Sequence, residues 1–123
     1  MNPTTRTAVF ALAAVAMAAA FGHHSVLPFD GTRGTTVAGT VTRFLWQNPH
    51  TLIALDVARP DGAVEHWTIE GESPRILERL GWSDRSLEAG AHVTVEGAAA
   101  KDGSLIMRCR AIELGDGRQL PCF

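Results

Sequence analysis

Long apolar runs, clustered positive charge and cysteine are all scarce in this chain of 123 residues. One apolar run stands out, Ala8 to Ala20, and at about 13 residues it is shorter than the roughly 20 a helix needs to span a bilayer. No second run of that kind follows, so nothing in the sequence anchors the remainder in a membrane. Lysine and arginine number 11 against 13 acidic residues and never cluster, which leaves no electrostatic footprint for nucleic acid or anionic lipid. Cysteine occurs twice, at Cys109 and Cys122. In an exported chain such a pair reads as a disulfide rather than a metal site. A Ser-His-Asp set, a paired-carboxylate cleft, a Walker loop and a CxxC pair are also missing, so the residues give an enzyme reading no support.

What is present begins with a seam near residue 20. The apolar run follows a short polar start with Arg6 and ends in small residues, the pattern of a secretory signal peptide. Residues 1–22 are therefore expected to be a signal peptide, cut after Ala20 or after Gly22. Residues 23–34 form a leader, and 35–123 a folded domain with a net charge near −3 once Arg6 is removed. That length suits one small core. A periplasmic or secreted monomer is the expectation.

The domain reads as mainly β. Thr36–Phe44 is rich in β-branched residues and alternates Val37, Gly39 and Val41 on one face. Leu52–Val57 and Ala63–Glu70 flank Arg59-Pro60-Asp61-Gly62, a turn signal that joins them as a hairpin. A helix follows: Ser73 is placed to cap it, Pro74 suits its first position, and Ile76, Leu77 and Leu80 share a face. Gly81 ends it, with Trp82 placed to pack back on Leu77. His92–Gly97 and Leu105–Leu114 are the fourth and fifth strands, and Gly115-Asp116-Gly117 turns the chain into a short last segment. Three strands, one short helix and two or three more strands is the order of a five- to six-stranded OB-like barrel.

Four groups of residues bear on chemistry. His23 and His24 stand beside the new amino terminus. A cut after Ala20 gives a third-position histidine, whose amine, two amides and imidazole offer four planar nitrogens of the kind copper(II) and nickel(II) prefer. A cut after Gly22 makes His23 first, so its amine and imidazole chelate together. Two solvated histidines on a terminus are the plain alternative. Trp46-Gln47-Asn48-Pro49-His50 forms the loop between the first two strands, a ligand-facing position in such barrels, with a rigid turn and a core tryptophan as the alternative. Glu70 ends the third strand, where its carboxylate either joins His50 or is hydrated. Trp67 and Ile69 read as core, and His66 and His92 as strand-surface residues. For the cysteines, a four-residue loop between Glu113 and Arg118 sets Cys109 opposite Cys122 across the last hairpin.

His23-His24-Ser25, Phe29-Asp30, Gly39-Thr40-Val41 and Trp46-x-Asn48-Pro49-His50 form a run of motifs. Glu70-Gly71-x-Ser73-Pro74, Gly81-Trp82, Val93-Thr94-Val95-x-Gly97, Lys101-Asp102-Gly103 and Asp116-Gly117-Arg118 continue it. On these the chain resembles the small exported bacterial proteins grouped as DUF6152. The resemblance implies an exported β-rich module with no assigned activity and a cut close to His23. His92 and the cysteine pair depart from the pattern. The combined expectation is an exported binding module that holds a transition metal, copper first, on His23 with His24 or His50. The alternative is an interaction module that presents its barrel loops, with Trp46, Trp82 and His50, to a membrane protein or a small organic ligand, Asn48 and Glu70 being the further ligand-binding candidates.

Overall fold

A computed structural model describes residues 28–123, so the expected signal peptide and both leader histidines, His23 and His24, lie outside the described residues. Within them the order is β1 (Thr35–Leu45), β2 (Leu52–Ala58), β3 (Val64–Glu70), α1 (Pro74–Arg79), β4 (His92–Ala99), β5 (Ile106–Leu114) and β6 (Gln119–Pro121). β1 is long enough to pair with β2 through residues 40–45 and with β4 through residues 35–40. β3 then closes the circuit against β5 in parallel, Thr68 to Glu70 beside Ile106 to Arg108. Five strands make a closed barrel and β6 lies outside it. The expected OB-like barrel is what the chain forms.

Two glycines allow the tight curl. A Cβ on Gly39 would stand 2.5 Å from the Asp56 carbonyl oxygen, and one on Gly97 would overlap the Arg108 carbonyl oxygen. Only glycine lets these strands cross so closely. β4 and β5 also slip register between Glu96 and Gly97, leaving Arg110 as the extra residue of a bulge.

Alternation along the strands fills the interior with Val41, Ile53, Leu55, Ile69, Val95 and Met107. Each such side chain contributes about 1.5–3 kcal/mol by leaving water. The helix caps one end of the barrel with Leu77, and Trp82 joins the same core cluster. Gly81 takes φ +92, and the N–H groups of Gly81 and Trp82 donate back to Glu78 and Leu77. That is the expected glycine stop. Ser73 holds the N-cap position but makes no side-chain cap bond; its carbonyl accepts from Ile76 and Leu77 instead.

The last hairpin corrects the expected register. Leu114 N–H donates to the Arg118 carbonyl, so three residues form the loop rather than four, with Gly117 at φ +84. Every pair shifts by one: Glu113 faces Gln119, and Cys122 N–H donates to Arg110. Cys109 and Cys122 are nonetheless bonded, diagonally rather than face to face, with Cα atoms 5.7 Å apart and both residues buried.

Candidate functional site

The loop between β1 and β2 is fixed from below by Thr51. Its N–H and its hydroxyl both donate to the Glu72 carbonyl, at 3.1 and 3.0 Å, and Gly71 N–H donates back to the Thr51 carbonyl at 2.9 Å. Thr51 is buried, and a Cβ on Gly71 would come within 2.5 Å of its hydroxyl. Gly71 is therefore the residue that lets the loop seat against the end of β3. This seating brings His50 to Glu70, with Nδ1 and Oε1 2.7 Å apart. A carboxylate only accepts, so the proton of that contact belongs to Nδ1, and in the neutral imidazole the lone pair is then on Nε2. The His50 side chain is 41% exposed, so the pair lies at the protein surface.

Beside this pair, Arg108 Nη2 meets Glu72 Oε1 at 3.0 Å and ties β5 to the start of the helical segment. An exposed pair of this kind adds only about 0–1 kcal/mol, so its effect is positional. Trp46 sits partly buried with its ring edge against Phe44, centroids 5.8 Å apart, and Phe44 in turn lies 6.1 Å from Trp82. Trp82 donates its indole N–H to the Pro121 carbonyl at 2.8 Å. Both tryptophans thus pack inward, while Asn48 is exposed on the loop. Among the described residues no three His, Cys, Asp or Glu side chains converge as a metal-binding group. The structure unites two of the candidate residues, His50 and Glu70, and sets Trp46 and Asn48 on the same loop without joining them to that pair.

A family model described as a family of unknown function, DUF6152, matches residues 11–107. The chain belongs to the DUF6152 family. The match takes in His50, Glu70, Gly71 and the leader histidines, whereas β6 and both cysteines lie beyond it. No curated protein matches the chain. Among solved structures, the mitochondrial single-stranded DNA binding protein Rim1 of S. cerevisiae is similar over 68% of this chain and 94% of its own. Identity is 20% and the TM-score 0.52, a likeness of fold. Fold alone does not carry function to a DUF6152 chain.

One arrangement in this DUF6152 chain escaped sequence reasoning. His66, Asp56, Thr40 and His92 are successive register partners across β3, β2, β1 and β4. His66 Nδ1 lies 2.7 Å from Asp56 Oδ1, and Thr40 Oγ1 lies 3.2 Å from His92 Nδ1. The Asp-Gly turn after β2 carried the signal for the first contact, since it fixes the hairpin register. The second joins residues 52 positions apart and left no local trace.

Proposed function

We propose that this chain is an exported binding module that takes up a transition metal, copper first, on its processed amino terminus with His50 as a further ligand. The observation that carries the reading is the 2.7 Å contact between His50 Nδ1 and Glu70. Metal-ligating histidines commonly donate their second ring nitrogen to a carboxylate, which fixes the tautomer and raises the basicity of the free nitrogen. Here that free nitrogen is Nε2, on a side chain 41% exposed and backed by a carboxylate on a strand rather than a loop. Imidazole suits copper, and a cut before His23 would add an amine and a second imidazole. His23 is five chain steps from Pro28, a reach of up to about 17 Å from the first described residue. Glu70 is the positioning residue in this scheme, and His23, His24 and His50 supply ligands.

Export is part of the same proposal: the apolar run and its small-residue end supply a periplasmic or secreted address. The alternative, a module presenting Trp46 to a membrane protein or a small organic ligand, draws less support because Trp46 spends its ring on Phe44. The test is copper(II) titration of protein that begins at His23, followed by calorimetry. One ion per chain is expected, with affinity lowered at least tenfold in His50→Ala. Binding to Trp46-dependent partners by metal-free protein, with copper affinity unchanged in His50→Ala, would favour the alternative.

A further inference from the structure

The outer face of the sheet carries a second feature that shares no residue with the His50–Glu70 pair. Where β1 passes from β4 to β2, the curl at Gly39 leaves a groove of about 490 Å³. That volume falls within the range of small-molecule sites. Its polar side chains are Thr40, Asp56, His92, Thr94 and Glu113, and among the described residues no lysine or arginine lines it. Gly39, Gly115 and Gly117 contribute backbone where side chains would otherwise fill the space.

Unused acceptors dominate this lining. Asp56 receives His66 on Oδ1, which leaves Oδ2. Glu113 receives Gln119 on Oε2 at 3.4 Å, which leaves Oε1. His92 is engaged at Nδ1 by the Thr40 hydroxyl at 3.2 Å, so its Nε2 is the ring nitrogen without a partner in this contact. Arg118, the nearest cation in sequence to the Gly115–Gly117 wall, is bound to Asp116 at 2.7 Å and does not line the groove. The two carboxylates stand on β2 and β5, with β1 and β4 between them, so negative charge lies on opposite walls. An anion would meet two like charges here, and a neutral ligand would leave Glu113 without a counter-charge and Asp56 with only the His66 ring at 2.7 Å.

We propose that this groove binds a short aliphatic dication, a chain with an ammonium or guanidinium group at each end, with Asp56 and Glu113 each taking one end. His92 and Thr94 flank the chain, and the glycine backbone admits its methylenes. The wall formed by Glu113, Leu114 and the Gly115–Gly117 turn lies beyond residue 107, where the DUF6152 match stops.

The test is an amide NMR titration of metal-free protein with agmatine, which carries one ammonium and one guanidinium, with 1,5-pentanediol as the neutral control. Saturable shifts of the Gly39, Gly115 and Gly117 amides are expected with agmatine and not with the diol. Glu113→Gln and Asp56→Asn should each weaken binding about tenfold, as expected for loss of one charged hydrogen bond. Glu113 is exposed at the edge of its pairing, so Glu113→Gln keeps the test valid should Asp56→Asn disturb the His66 contact. No saturable shift up to about 10 mM agmatine, a weaker bound than most specific small-molecule sites, would overturn the proposal. So would equal response to the diol, or unchanged affinity in Glu113→Gln. Copper is absent throughout, so the result is independent of the metal proposal.

Discussion

Reducing the Cys109–Cys122 bond should lower the stability of the folded domain by about 3 kcal/mol, the value expected for opening a loop of about 15 residues. The cysteines are 13 positions apart, so the bond closes a loop of that order. What the bond restrains is the outermost strand. β6 makes three register pairs with β5 and is further held by the Trp82 indole on Pro121. Without the bond, β6 keeps those contacts in the native state while the unfolded chain regains its freedom. The effect should therefore appear as lost stability with little change in the circular dichroism of the native form. For a domain of this size about 3 kcal/mol corresponds to a melting temperature lower by roughly 15 °C. Thermal melts of oxidised protein, of protein in dithiothreitol and of a Cys109→Ala/Cys122→Ala double variant would measure it. A reduced form melting within about 3 °C of the oxidised one would refute the reasoning, since such a shift is under 1 kcal/mol at this size.

Gly71→Ala should destabilise the domain by about 1–3 kcal/mol, the usual cost of forcing atoms into a filled site, because the new methyl meets the Thr51 hydroxyl. It should also weaken copper binding by displacing the loop that carries His50; urea denaturation and calorimetry check the two effects separately. The Asp30 carboxyl is held below its ordinary value of 3.8, first by the Thr32 hydroxyl and then by the Thr32 backbone N–H. A group depressed in the folded state adds stability above its unfolded value and loses it as pH falls through the folded one. Carboxyl carbon NMR should therefore give an Asp30 midpoint below 3.8, moving up in Thr32→Ala; an unmoved midpoint would contradict the assigned cause.

Strands β1 to β5 were legible because their signals are local. Alternation and β-branching mark the runs, and Asp61-Gly62, Asp102-Gly103 and Gly81 mark the breaks. The observed bounds differ by a residue or two at the ends, as in β4, which runs on to Ala99. The disulfide was legible and its register was not. A loop of three residues or four depends on whether Gly117 takes positive φ, and a change of one moves Cys122 from Cys109 to Arg110. The His50–Glu70 contact was legible as an option only. What selects it is the Thr51–Glu72 seating, which joins residues 21 positions apart. Similarly, the groove depends on β1 pairing with two strands at once, a long-range consequence of barrel closure that no window of sequence contains.

The most direct test of the metal-binding account is electron paramagnetic resonance of copper(II)-loaded protein beginning at His23, compared with its His50→Ala and Glu70→Gln variants. The account predicts one bound ion per chain with nitrogen ligation in the parent. His50→Ala should lose one nitrogen from the pattern, and Glu70→Gln should keep the nitrogen count while binding about tenfold or more weakly, as befits a residue that orients a ligand. Spectra and affinities identical across all three proteins would contradict it.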